Sequence, residues 1–277
     1  MSDPVQHGPA RHGPARHGPV VLTVLRGDGV AVVTMNRPDV HNAFDERTIA
    51  ELTAAFERLA TAGDVRCVVL RGNGASFSAG ADLGWMKRMA GYSRDENVAD
   101  AMGLAALMRT IDRFPRPVVA AVHGAAYGGG VGLVACCDVA VAADGARFAL
   151  TEVKLGLIPA VISPYVIAAI GERAARRLFL TAEPVSAMEA HRIGLVHEVV
   201  PGHMLDAAVD RIVARVLDGS PEAQAAAKDL IAAVARRPTD DALVRETAER
   251  IADQRAGDAA REGIAAFLAK RKPDWAR

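Results

Sequence analysis

Residues 20–25 and 30–35 are runs of β-branched and aliphatic side chains on either side of Gly27-Asp28-Gly29, which predicts two strands joined as a hairpin. The period then changes. After Asp45, a residue suited to capping a helix start, Ile49, Leu52, Phe56 and Leu59 recur every three or four positions and the pattern closes at Gly63. That spacing predicts a helix. Residues 67–70 form a short apolar strand leading into a loop over 72–84, and a helix follows over 99–113, ended by Pro115 and Pro117. Residues 118–122 read as a buried strand, 124–132 as a glycine-dense turn, 131–137 as helical and 139–142 as another strand. Strands alternating with helices predict an α/β core.

From about Glu172 onward strands nearly vanish, apart from 196–200, and helical patterns take over at 203–218, 221–236, 239–255 and 258–270. The division expected is a core over 20–200 and a helical C-terminal subdomain over 201–277, whose apolar face needs a partner in this chain or a neighbouring copy. At the other end, His7-Gly8-Pro9-Ala10-Arg11 repeats as His12-Gly13-Pro14-Ala15-Arg16 and begins again at His17. Such glycine and proline content opposes helix and strand alike, so residues 1–19 are expected to be a disordered low-complexity tail.

Composition narrows the function classes. Hydrophobic residues make up 51% of 277, enough for a sizeable core, and Lys+Arg equals Asp+Glu at 33 each. No global field draws in nucleic acid or an anionic membrane. Cys67, Cys136 and Cys137 sit in apolar contexts without metal-binding spacing, as small core residues of a reducing compartment do. No apolar run reaches a membrane span and the N-terminus lacks a signal-peptide core, so a cytoplasmic location is expected.

Two loops invite a chemical reading. Ser76-Phe77-Ser78-Ala79-Gly80-Ala81-Asp82-Leu83 and His123-Gly124-Ala125-Ala126-Tyr127-Gly128-Gly129-Gly130-Val131-Gly132 each follow a buried strand with small residues and lead towards a helix. Small residues admit close approach of a ligand, and unpaired N–H groups at a helix start carry partial positive charge. Two converging on one point would make an oxyanion hole. Neither loop fits a phosphate-cradling P-loop, a GxGxxG fingerprint or a GxSxG nucleophile elbow. Spacing alone equally accommodates glycines that serve tight helix–strand packing. His123 reads as a satisfied core histidine, and Cys136 and Cys137 as part of an apolar helix.

Taken together, Asn36-Arg37-Pro38, His41-Asn42-Ala43-Phe44, Ser78 to Leu83, His123 to Gly130, Cys137 to Ala143, Phe148 to Pro159 and Gly194-Leu195-Val196 resemble the enoyl-CoA hydratase/isomerase (crotonase) superfamily across residues 20–277. Trp85-Met86-Lys87-Arg88 and Gly132 to Asp138 look most like the methylglutaconyl-CoA-type hydratases. The resemblance implies a crotonase-type ββα spiral core with a helical C-terminal trimerisation subdomain, and trimers or paired trimers. It implies an acyl-CoA substrate, coenzyme A entering as part of that substrate, and no metal or redox cofactor. Ala81 and Gly129 would donate the two oxyanion N–H bonds. Ala79, Asp82, Leu83 and Gly84 would lie along the bent CoA moiety, and Lys270 would meet CoA phosphates from a neighbouring subunit.

Family hydratases commonly use two glutamates. The second is present here as Glu152; the first position is Gly132. A single carboxyl implies a hydratase in which Glu152 both orients water and moves the proton, a Δ3,Δ2-enoyl-CoA isomerase that needs no water, or a non-catalytic acyl-CoA-binding paralogue. Both catalytic readings require Glu152 in a dry pocket that raises its pKa. Gly132 is expected to enlarge the substrate pocket for a branched or carboxylated tail. Lys87, Arg88, Tyr92, Tyr127 and Ser163 are unranked partners for such a carboxylate.

Overall fold

The computed structural model describes residues 18–276. The tail expected over 1–19 falls outside them for residues 1–17, as does Arg277.

The hairpin forms where the pattern places it: β1 (Val21–Leu25) pairs antiparallel with β2 (Val30–Met35), with Val24 opposite Val32. Gly29 turns the chain at φ +83, where a Cβ would fall 2.7 Å from both Arg66 Cγ and the Asp64 carbonyl oxygen. Asp45 caps α1 (Glu46–Thr61) by accepting from the Thr48 N–H, and the chain returns through β3 (Cys67–Gly72), parallel to β2. Where the loop expected over 72–84 ends, a helix begins that hydrophobic spacing does not show, α2 (Leu83–Met89), capped by Asp82. α3 (Arg94–Asp112) starts five residues before the expected 99 because Ser93 and Glu96 form a capping box ahead of the apolar part.

β4 (Val118–Val122) is followed by β5 (Ala125–Tyr127) and α4 (Gly129–Cys136), so the glycine-dense segment holds both a strand and a helix start. β6 (Val139–Ala143) and β7 (Arg147–Ala149) come next. Then α5 (Ser163–Thr181) begins nine residues ahead of the expected helical shift, followed by β8 (Val185–Ser186), α6 (Ala187–Arg192) and β9 (Glu198–Val200). Two sheets result. The larger runs β1-β2-β3-β4-β6-β9, parallel except for β1; the smaller runs β5-β7-β8.

Parallel strands buried on both faces need apolar residues at every position. Ala31, Val33, Val68, Leu70, Ala120 and Val122 face a core shared with Leu52 and Phe56 of α1 and Leu107 and Ile111 of α3. The alternate positions, Val30, Cys67, Val69, Val119, Ala121 and Val141, pack under Leu205, Ala208, Val209 and Val213 of α7 (Leu205–Leu217). Thus α7 covers the far side of the sheet. Beyond it, α8 (Pro221–Val234) has no buried residue, α9 (Asp241–Ala256) buries Leu243 and α10 (Asp258–Leu268) buries Ala266. Among the described residues no helix is long and apolar enough to cross a membrane.

Candidate active site

The two small-residue loops are laced together by backbone bonds. Ser78 N–H donates to the Ala125 carbonyl and the Tyr127 N–H donates back to Ser78 O, both at 2.9 Å, forming a parallel bridge between Ser78 and Ala126. Two residues further on along each loop, the backbones nearly touch. A Cβ on Gly80, whose φ is +87, would lie 3.1 Å from Tyr127 O and 3.8 Å from Gly128 Cα. Ala81 and Gly129 are therefore neighbours in space, 48 positions apart in sequence.

A third strand of chain fixes how Ala81 faces. Phe44 N–H donates to Gly80 O and Asp82 N–H donates to Phe44 O, each at 2.7 Å, clasping Ala81 from one side. Among the described residues neither the Ala81 N–H nor the Gly129 N–H has a hydrogen-bond acceptor. Gly129 is the first residue of α4, so its N–H adds the partial positive charge of a helix start. A side chain there is barred, since a Cβ would fall 2.8 Å from Phe44 Cε2.

Glu152 opens a 3-10 turn, Glu152–Leu155, that follows β7. Because β7 pairs with β5 and Gly128 N–H donates to Ala149 O at 2.9 Å, this turn is brought beside the same glycines. Glu152 Oε1 sits 3.2 Å from where a Cβ on Gly128 would be, and only the glycine at φ +50, ψ −118 leaves the carboxylate that place. Its other oxygen, Oε2, is buried with no hydrogen-bond partner. Burial pushes the Glu152 carboxyl above the usual carboxylate range, opposed only by its own backbone N–H. A carboxyl held this way, beside two unpaired N–H groups, suits moving a proton at a carbon next to a carbonyl.

The other expected residues fall into three groups. Ala79 donates its N–H to His41 O at 2.9 Å and so helps shape the loop; Leu83, 74% exposed, and Gly84 line its outer edge. Asp82 turns out to be a structural acid. Its Oδ1 accepts from Gly84 N–H at 2.7 Å and Trp85 N–H at 3.2 Å, and its Oδ2 pairs with Arg37 Nη2 at 2.9 Å. Although burial opposes it, these bonds hold the Asp82 carboxyl below its ordinary value. Lys270 ends α10 in a left-handed conformation, φ +54, and is exposed.

The expectation for Gly132 needs correcting. It opens no room: a Cβ there would meet Ile162 Cγ2 at 2.3 Å, Ile162 Cβ at 2.9 Å and Met108 Cε at 3.2 Å. The space beside it is filled by neighbouring side chains. Of the carboxylate-partner candidates, Arg88 is paired with Glu46, Tyr92 OH reaches the same carboxylate at 3.5 Å, and Ser163 Oγ donates to Ala160 O. Tyr127 stands half-buried on β5 and Lys87 is exposed on α2. His123 Nε2 is bonded to Gly74 O at 2.8 Å. Burial raises the Cys136 and Cys137 thiols, and pushes Cys67 up to about 12, which keeps all three protonated.

Residue reasoning missed two supports. Arg37 joins Ala43 O at 2.6 Å, Asp45 at 3.2 Å and Asp82 at 2.9 Å, tying the caps of α1 and α2 to one guanidinium. Asn42, fully buried, donates to Asn73 O and Ser76 O at 2.8 Å each and accepts from Arg37 N–H. Both stand in motifs visible in the sequence, but the partners that tie them to the 72–84 segment, Asp82 for Arg37 and Asn73 and Ser76 for Asn42, lie more than 30 positions away.

Known proteins resemble this chain in sequence and fold. The family described as Enoyl-CoA hydratase/isomerase matches residues 26–277. The crystal structure of an enoyl-CoA hydratase from Shewanella pealeana ATCC 700345 is 43% identical, covers 92% of this chain and 96% of its own, and superposes with a TM-score of 0.90. An enoyl-CoA hydratase structure from Mycobacterium smegmatis is 34% identical over 94% of this chain and 100% of its own, with a TM-score of 0.88. A 2,3-dehydroadipyl-CoA hydratase of Escherichia coli (strain K12) is 32% identical over 257 residues, 92% of this chain and 98% of that protein.

Proposed function

The chain belongs to the enoyl-CoA hydratase/isomerase family, and from that premise we propose that it hydrates the 2,3 double bond of an enoyl-CoA thioester. Ala81 and Gly129 are the oxyanion donors and Glu152 is the acid–base group. The observation that carries this reading is the half-buried Glu152 lying against Gly128, its Oε2 enclosed without a hydrogen-bond partner, next to two N–H groups without acceptors.

In this mechanism the thioester oxygen accepts from both N–H groups. The Glu152 carboxylate takes a proton from water as the water oxygen bonds to C3. The C2–C3 π pair shifts between C1 and C2 and the carbonyl π pair moves onto the thioester oxygen, where losing one donor typically costs about 3 kcal/mol of transition-state stabilisation. Collapse of the enolate then draws the proton from Glu152 to C2 and restores the carboxylate. One water is added and both of its hydrogens are accounted for.

A 3-methylglutaconyl-like branched acid is the substrate we favour, on the resemblance of residues 85–88 and 132–138; a relative acting on 2,3-dehydroadipyl-CoA likewise takes a dicarboxylic acyl group. Coenzyme A enters with the substrate, along Ala79, Leu83 and Gly84. Exposed Ile251, Ile264, Phe267 and Leu268 support a neighbouring copy covering the helices beyond the 20–200 core, in a trimer or a pair of trimers. Lys270 would then reach the neighbour's CoA phosphates. The single carboxyl also supports a second reading, an isomerase in which Glu152 carries a proton from C2 to C4.

Product analysis in water enriched with heavy oxygen separates these. Crotonyl-, 3-enoyl- and 3-methylglutaconyl-CoA are offered to wild type and Glu152→Gln. Heavy oxygen in a 3-hydroxyacyl product, lost in the variant, supports the hydratase; a shifted double bond without oxygen makes it an isomerase. Inertness towards all three brings forward a non-catalytic acyl-CoA-binding protein or an enzyme for a different acyl-CoA.

A further inference from the structure

Gly132 lies in the first turn of α4, its N–H directed to Gly128 O at 3.3 Å, and Gly128 is the residue that backs Glu152. Glycine inside a helix is disfavoured relative to alanine, so something outside the helix retains it. The structure identifies what. Any side chain at 132 would begin 2.3 Å from Ile162 Cγ2 and 2.9 Å from Ile162 Cβ.

These are not the far ends of a flexible chain. A β-branched residue has little freedom about χ1, and the Cβ contact does not depend on χ1 at all. Ile162 is 3% exposed and sits at the start of α5, its carbonyl accepting from Val166 N–H at 3.0 Å and Tyr165 N–H at 3.2 Å. Met108, on the third side, is itself engaged by the Cys136 thiol at 3.6 Å, although its Cε at 3.2 Å is a flexible terminus that can give. The obstruction is therefore Ile162.

We infer that Ile162 is a positioning residue: lodged against Gly132, it excludes a second acidic side chain from the turn that carries an oxyanion donor, so Glu152 alone must take the proton of water and return it to C2. This rests on the hydratase reading above. A site with separate base and acid loses activity at both ends of the pH range, giving a bell. A site with one shuttling carboxylate has an acid limb only, set by Glu152. Ile162 thereby fixes which pH profile the enzyme has.

The test compares wild type, Ile162→Ala, Gly132→Ala, Gly132→Glu and the two double variants, by thermal unfolding and by the pH dependence of hydration kcat/KM. We expect Gly132→Ala and Gly132→Glu to unfold at lower temperature, and each loss to shrink when Ile162→Ala is added. We expect Gly132→Glu to lose at least tenfold in kcat/KM. The Gly132→Glu/Ile162→Ala variant should regain at least threefold over Gly132→Glu and gain an alkaline limb that wild type lacks. Gly132→Glu as stable and active as wild type would overturn the inference; so would a second limb in wild type, or losses that Ile162→Ala leaves unchanged. A wild type that adds no oxygen to any substrate defeats the hydratase reading instead, and the unfolding comparison then decides whether Ile162 bars a side chain at 132.

Discussion

Gly128 and Glu152 fit closely together: a Cβ on Gly128 would stand 3.2 Å from Glu152 Oε1, so the carboxylate would have to give way by a few tenths of an ångström. The same glycine occupies φ +50, ψ −118, which an L-residue adopts only under strain. Position 128 thus sets both the backbone angle that presents the Gly129 N–H and the space in which the carboxylate rests.

Gly128→Ala is accordingly expected to injure catalysis more than folding. Backbone strain of this kind costs about 1–3 kcal/mol, while a displaced carboxylate at this distance from the chemistry lowers turnover by roughly a hundredfold. Thermal unfolding and steady-state kinetics on the same preparation separate the two. Turnover within threefold of wild type would show that Glu152 does not depend on this contact.

Glu152→Gln should abolish proton transfer and make the protein more stable at neutral pH. Burial raises the folded-state pKa of this carboxyl, so between the unfolded and folded values the native chain binds more protons at this group than the unfolded chain. Unfolding free energy falls as pH rises through that window and stays lower above it. Glutamine removes the effect. The variant's unfolding midpoint should exceed wild type's at pH 7, and the difference should close as pH falls below the ordinary glutamate range. In wild type, kcat/KM should fall on acidification at a pH above that range, because the ionised form accepts the proton. Equal midpoints at pH 7 would contradict a desolvated carboxylate.

Arg37 is expected to matter through geometry as well as charge. Its guanidinium reaches Ala43 O, Asp45 and Asp82 at once, and a lysine ammonium cannot reproduce that planar fork. Arg37→Lys should therefore resemble Arg37→Ala, each losing about 1.5–3 kcal/mol of stability and about tenfold in kcat, with a smaller change in KM. Rescue by lysine in both measurements would show that a positive charge alone is enough.

How much of this was legible in the sequence depends on the reach of each signal. Periodicity placed α1, β3, β4 and β6, because each carries an unbroken apolar pattern buried on one face or both. It missed α2, whose seven residues bury only Trp85 and whose start is marked by the Asp82 cap alone. It began α3 late because the first turns are polar and mostly exposed, leaving Ser93 and Glu96 as the signal that was there to be read. Motif order pointed to Ala81, Gly129 and Glu152, which the structure gathers in one place. It misjudged the space beside Gly132 and did not show the bonds of Asp82, since Ile162 and Arg37 lie 30 and 45 positions away. A one-dimensional pattern carries no record of such contacts.

α8 buries no side chain, so apolar packing does little to hold it to the core. Besides Gln224, whose Nε2 donates to Val216 O of α7 at 2.7 Å, Lys228 ties it to the sheet: its Nζ donates to Asp138 Oδ2 at 2.6 Å and Arg116 O at 3.1 Å. Asp138 stands between α4 and β6, and the same Oδ2 accepts from Val118 N–H at 2.7 Å, so one carboxylate oxygen links α8 to the first residue of β4. The lysine side chain is 17% exposed and the aspartate 28%, enough shielding for the pair to exceed an ordinary surface ion pair without the full cost of burial. Lys228→Met keeps the aliphatic stem and removes the three donors. Loss of about 1–2 kcal/mol is expected, concentrated in faster amide hydrogen exchange across α8 while β4 and β6 keep their protection. Uniform acceleration through the sheet would mean that α8 unfolds only with the core, and unchanged exchange in α8 would mean that contacts along its other faces hold it.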